Sequence, residues 1–342
     1  MKRTSLLLIP ILLIALLLCS CNADAQDGIF SAIADSAPDA GIKVQAYLGN
    51  IGNAHYVLTD TGVYGINAPS FSPIKNSEGI HNIEACIINN DIYVRSTSSS
   101  GENKISKYSK EGIKDASFTE IPNVKKLLVN GAYYTYGDTK DKQTIHFLTA
   151  GATITPLFST TEAKTVNTMI ESENYVFVEL SDKSYAIFNS KTGAKIFESP
   201  KDTLKSLSVK GFQAIDASLF LIVQNNNKVY SITSNGLKET ETQISTISEK
   251  DVHSFHYNTG GKDYIVIKSS SSFTIYEIKN EASECKLLEV KNPTAPYVTS
   301  SLRKTSVSNI VKNSDTSIIY ATWKNSIWEI DPTSTDDPVE IK

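Results

Sequence analysis

From residue 42 onward the chain alternates short runs of apolar and polar residues with polar turns, and one phrase keeps returning. In NNNKVYSIT at 225–233 a polar turn leads into an alternating strand that carries Tyr230 and Ile232 on one face. Related wording stands at 61–67 (TGVYGIN), 182–189 (DKSYAIFN), 271–279 (SSFTIYEIK) and 325–331 (NSIWEID). The hairpin occurs seven times, each opened by a strand rich in aromatic and β-branched residues: 55–60, 91–96, 132–138, 174–180, 218–225, 263–269 and 317–323. Successive starts lie about 36, 41, 42, 44, 45 and 54 residues apart. Helical periodicity is nearly absent.

Two further strands flank each hairpin, for example 165–172 and 195–199 around the fourth, and 307–313 and 338–342 around the seventh. Four antiparallel strands repeated seven times resemble a β-propeller, at 43 residues per unit over 42–342. The expected fold is therefore all-β, a propeller of seven four-stranded blades, closed by packing blade 1 on blade 7 with no swapped strand. A lone sheet cannot cover both faces, so a ring of blades buries each face against its neighbour. The residues expected to fill these gaps share one column: Tyr64, His146, Tyr185, Tyr230, Tyr276 and Trp328, with Ser106 the exception. His146 and Trp328 are thereby read as packing groups.

The fourth unit, SYAIFNSKTGAKIFES, resembles the repeat of quinoprotein-type propellers, with its turn ending in Thr192-Gly193 and Phe197 where that family has Trp. Such propellers include quinone-dependent dehydrogenases and the lipoprotein propeller of the outer-membrane assembly machinery. Quinone catalysis needs a calcium held by carboxylate and amide oxygens beside a basic group. Arginine is confined to Arg3, Arg95 and Arg303, and the adjacent cysteines of the dehydrogenases are missing after residue 21. No cofactor is expected.

The N-terminus reads as an address. Lys2 and Arg3 precede an apolar run from Leu6 to Leu18. Thirteen residues span roughly 20 Å, short of a ~30 Å hydrocarbon core, which suits a secretory signal better than a membrane span. The run ends Leu18-Cys19-Ser20-Cys21, which resembles the lipobox of bacterial lipoproteins. The resemblance implies a signal peptide over 1–20, cleavage before Cys21 and lipid attachment to that thiol. Residues 21–41, rich in Ala, Asp and Ser, read as a lipidated flexible tether, although Ile29, Phe30 and Ile33 could instead dock on the domain. The expected location is the cell envelope, with the lipid on Cys21 as the contact with a membrane.

Removing Lys2 and Arg3 leaves 31 basic against 37 acidic residues, so nothing favours nucleic acid. Cys86 falls in an inner strand of blade 2 and Cys285 in an outer strand of blade 6, too far apart for a disulfide. Two free, buried thiols are expected.

Reaction chemistry is hard to find. His253 and His256 point to opposite faces of a strand and cannot easily share a metal. The acidic cluster at Asp331, Asp336 and Asp337 lacks the Gly and closing Glu of a known calcium loop, and Asp138 with Asp141 sits in a hairpin tip. No metal site and no catalytic residue is assigned. The longest inter-blade connection, 292–306, brings Tyr297, Arg303 and Lys304 to the face where Trp323 should emerge. A Pro-stiffened loop of that composition beside a Trp suits a protein-binding hot spot, or else covers a gap. The sequence thus points to a monomeric, non-catalytic protein-interaction platform in envelope or outer-membrane protein assembly. Binding of a glycan or small molecule is the alternative.

Overall fold

The structure, a computed structural model, describes residues 44–77, 80–136, 143–148, 155–159, 165–205, 208–224, 228–243, 254–268, 273–281, 284–290, 309–312, 319–323, 326–331 and 339–341. Blade 1 comprises β1 (Val44–Ile51), β2 (Ala54–Thr59), β3 (Gly62–Ile66) and β4 (Ile74–Lys75). Blade 2 comprises β5 (His81–Ile88), β6 (Asp91–Thr97), β7 (Asn103–Tyr108) and β8 (Ile121–Pro122). Blade 3 follows with β9 (Val124–Leu127), β10 (Ala132–Tyr136), β11 (Gln143–Phe147) and β12 (Thr155–Ser159). Blade 4 is β13 (Val166–Ser172), β14 (Tyr175–Leu180), β15 (Tyr185–Asn189) and β16 (Lys195–Glu198). Blade 5 is β17 (Val209–Ala214), β18 (Phe220–Gln224), β19 (Lys228–Thr233) and β20 (Gly236–Gln243). Blade 6 is β21 (Ser254–Thr259), β22 (Lys262–Lys268), β23 (Phe273–Glu281) and β24 (Glu284–Glu289). Blade 7 is β25 (Asn309–Lys312), β26 (Ile319–Trp323), β27 (Ser326–Ile330) and β28 (Val339–Ile341).

Each sheet is antiparallel, with its strands side by side in chain order. The fold is an all-β propeller. Strand β1 touches β25, β26 and β27. Tyr47, Val57, Tyr64 and Ile66 of blade 1 pack there with Ile327 and Ile341 of blade 7. Closure is by side-chain packing, and every strand of both end blades stays in its own sheet. Among the described residues no helix is long and apolar enough to cross a membrane.

Apolar clusters fill the seams between neighbouring blades. Leu48, Leu58 and Val63 of blade 1 meet Ile92, Val94 and Tyr108 of blade 2. Phe177, Tyr185 and Ile187 of blade 4 meet Phe212, Phe220 and Ile232 of blade 5. Within one strand, alternate residues serve opposite seams: Ile222 faces blade 4, while Leu221 and Val223 face blade 6.

The shared aromatic column holds in six blades and slips by one residue in the seventh. Tyr64 pairs with Val57, His146 with Tyr133, Tyr230 with Ile222, Tyr276 with Ile265, Trp328 with Ala321 and Ser106 with Val94. In blade 4 the matching partner of Val178 is Ala186, not Tyr185. Ala186 faces blade 3 and Tyr185 faces blade 5. One step along a strand reverses the face, so aligning blade 4 on its aromatic residue chose the wrong side. Tyr185 still fills a seam, stacked between Phe177 and Phe197 at centroid distances of 5.5 and 5.9 Å.

Cys86 in β5 and Cys285 in β24 are free and buried, in the strands expected of them. The Thr192-Gly193 turn is held locally. Asn189 Oδ1 accepts the N–H groups of Lys191 and Thr192, and Gly193 takes φ +71°.

Candidate interaction surface

One end of the ring gathers the mid-blade turns together with the connections between blades. In blade 1 the Asn76 N–H donates to Thr61 O at 2.8 Å, and Asn76 Nδ2 donates to Asp60 O at 2.9 Å. In blade 4 the N–H groups of Asp202 and Leu204 donate to Asp182 O and Lys183 O, each at 3.0 Å. Leu204, with 0% exposure, plugs this connection into the seam between blades 4 and 5. Turn and connection are thus tied to each other and to the core.

Trp323 is the last residue of β26 and pairs with Ser326 across the mid-blade turn of blade 7, which places its backbone at this same end. Its side chain lies outside the described residues, as do Tyr297, Arg303, Lys304 and Cys21. The acidic clusters at 138–141 and 332–337 and His253 lie outside them as well. His256 is described: its Nε2 stands 2.9 Å from Asp263 Oδ1, which also accepts from Asn258 Nδ2.

Further polar side chains link successive blades. Glu84 Oε2 of blade 2 accepts the Leu127 N–H of blade 3 at 2.8 Å, and Glu84 Oε1 meets Lys126 Nζ at 2.9 Å. Glu171 of blade 4 accepts the N–H groups of Val129 and Asn130, at 3.0 and 2.7 Å. Gln143 Oε1 of blade 3 accepts the Val166 N–H of blade 4. Ser172 Oγ accepts from the Ala214 N–H and Gln213 Nε2 of blade 5, and Ser254 of blade 6 donates to Gln213 Oε1. An inner strand has one unpaired edge, and these side chains satisfy part of it. Part of the Glu171 residue is exposed, while its carboxylate sits inside between the blades. Burial raises its pKa, partly offset by the N–H groups of Asn130 and Val129 and by Lys126.

The opposite end of the ring carries the loop 109–120 of blade 2, which is tied to blade 1. Tyr56 Oη of blade 1 donates to Lys110 O at 2.9 Å, and the Ser72 N–H donates to Glu111 O at 2.9 Å. A Cβ on Gly112, at φ +77°, would stand 2.1 Å from Ser72 O. Glu120 gathers Lys104, Lys114 and the Ser106 hydroxyl. Burial pushes its pKa up, but these three partners outweigh it and bring the carboxyl down to about 2. Ser106, the odd residue of the aromatic column, is explained by this bond.

The described groups offer little for catalysis. No cluster of three or more His, Cys, Asp or Glu could hold a metal ion among the described residues. Burial pushes the Cys86 thiol far up and the Cys285 thiol to about 11, which keeps both protonated and unreactive. His146 stacks on Tyr133 at 4.9 Å, and its Nε2 lies 3.0 Å from Thr135 Oγ1. Burial lowers its pKa to about 4, so it is neutral at pH 7. That is the behaviour of a packing group.

Sequence reasoning missed the inter-blade links of Glu84, Glu171 and Gln213. The hydrogen-bonded pairs Glu84–Leu127, Ser172–Ala214 and Ser254–Gln213 are separated by 43, 42 and 41 residues, one repeat apart. Polar residues recurring at the blade period were the available signal.

No protein-family model matches the sequence, and no curated protein matches it. Among solved structures, the chain is similar to Saccharomyces cerevisiae Sqt1 at 12% identity and a TM-score of 0.45, covering 88% of this chain and 86% of that one. It is similar to Chaetomium thermophilum Raptor at 15% identity and a TM-score of 0.46, covering 87% of this chain and 29% of that one. A third similarity, to the extracellular domain of a putative hybrid two-component system from B. thetaiotaomicron, has 14% identity and a TM-score of 0.47 and covers 84% and 38% of the two chains.

Proposed function

We propose that this chain is a lipid-anchored, non-catalytic propeller of the cell envelope whose connection face is a platform for a protein partner. Residues 1–20 act as the signal peptide, Cys21 carries the lipid, 21–41 serve as the tether and 42–342 form the domain. The anchor rests on the Leu18–Cys21 sequence and its distance behind the apolar run. The observation that supports a platform is the tying of connections to mid-blade turns, at Asn76 with Thr61 and at Leu204 with Lys183. Loops held on a rigid scaffold bind with less ordering cost than free ones. Tyr297, Arg303, Lys304 and Trp323 are the proposed contacts, and assistance to outer-membrane protein assembly is the proposed setting.

The test is photo-crosslinking in the host from a reactive amino acid at position 297, with mass spectrometry of the adducts. A discrete protein adduct, absent when the probe sits on an outer strand such as β16, supports the platform. Glycan adducts alone support the second reading, and no adduct removes the interface from this face. Tyr297→Ala with Trp323→Ala should abolish partner capture with melting nearly unchanged. Replacing Cys21 by Ser should abolish metabolic labelling with a fatty acid.

A further inference from the structure

Gln224 closes β18 at the connection end of blade 5. Along that strand Phe220 and Ile222 turn to blade 4, and Leu221 and Val223 turn to blade 6. Alternation therefore sends Gln224 toward blade 4, as does its strand neighbour Val209, which lines the same seam. Gln224 has 0% exposure, and among the described residues neither its Oε1 nor its Nε2 meets a hydrogen-bond partner. Across the seam, blade 4 presents Tyr185 at 1% exposure, with its hydroxyl also unpartnered. The rings of Phe177 and Phe197 on either side fix where that hydroxyl lies.

The contrast with another buried glutamine is informative. Gln213 donates to Ser172 Oγ at 2.9 Å and accepts from Ser254 at 3.1 Å. A buried amide or hydroxyl without a partner keeps its full desolvation cost. Leu or Phe would fill the same seam without that cost.

We infer that the seam between blades 4 and 5 binds a small hydroxyl-bearing molecule at Gln224. The bound hydroxyl donates to Gln224 Oε1 and accepts from Nε2, and the Tyr185 hydroxyl offers a second polar contact from the facing blade. The ligand is neutral. Gln224 and Tyr185 carry no charge, Phe177, Leu204, Phe212 and Ile222 belong to the same seam, and the buried Glu179 carboxylate beside Tyr185 is already paired with Lys183 Nζ at 2.7 Å, so a desolvated ion would find no free counter-charge there. Solvent water and a small polyol both supply this chemistry. The site is independent of the platform reading.

The test uses the isotope-labelled chain 21–342 with Cys21→Ser. The Gln224 side-chain amide is assigned by its loss in Gln224→Met, and rotating-frame Overhauser contacts from it are recorded in buffer and in excess glycerol. A contact at the water frequency in both samples identifies a bound solvent molecule. A contact to glycerol C–H protons identifies a polyol site. Either result supports the inference, and absence of both contacts overturns it.

Discussion

The carboxylate of Glu171 in blade 4 accepts the backbone N–H of Asn130 in blade 3 at 2.7 Å, and that of Val129 at 3.0 Å. Two backbone donors beside the turn between β9 and β10 thus depend on one side chain 41 and 42 residues away. Glu171→Ala leaves both without an acceptor and should destabilise the ring by about 2–4 kcal/mol, read by urea unfolding. Glu171→Gln keeps an acceptor oxygen and should cost less. The folded pKa is raised, so the wild-type contribution is present below the ordinary value of 4.5 and falls as pH rises through the folded pKa. The stability of Glu171→Gln relative to wild type should therefore improve from pH 4 to pH 7. A gap independent of pH would contradict the buried carboxylate.

His146 gives the opposite slope. Its folded pKa of about 4 lies below the ordinary 6.5, so the neutral ring stabilises fully above pH 6.5 and loses that contribution as pH falls toward 4. Phe in its place keeps the stack on Tyr133 and has nothing to protonate. The difference in urea midpoint between wild type and His146→Phe should shift in favour of the variant between pH 7 and pH 4.5.

Gly112 should be intolerant of a side chain. Its positive φ and the nearness of Ser72 O both oppose a Cβ. Gly112→Ala should cost about 1–3 kcal/mol and speed amide exchange in 109–118 and at Ser72 before other segments. Gly101, where a Cβ would meet nothing within 4 Å, tests steric contact at a similar φ of +81°. Gly101→Ala should cost less.

The two thiols should resist alkylation in the folded chain and react together after denaturation. In a chain with Cys21→Ser and the signal removed, a mass shift of two alkyl groups without reductant is expected under denaturing conditions. No labelling would mean a disulfide, which would not fit thiols in β5 and β24.

Much of the ring was legible because alternation and turn residues are local signals. The strands expected at 55–60, 91–96 and 174–180 are those of β2, β6 and β14 within a residue or two. The face of Tyr185 was not legible, since a sequence alignment cannot see a one-residue slip relative to the neighbouring blade. Nor were the links of Glu84 and Glu171 to backbone N–H groups of another blade, or those of Gln213 to the hydroxyls of Ser172 and Ser254. Of the proposed interface, only the backbone position of Trp323 at the connection end is described.

The seam between blades 1 and 7 is the same kind of contact as the seams whose blades are joined by the chain, side chains of one sheet against the next. The break between the chain ends therefore occupies no privileged place in the circle. A circular permutant that joins 342 to 44 through a short linker and opens at the connection 76–80 should close into the same ring. Which blade comes first would then be an accident of where translation begins.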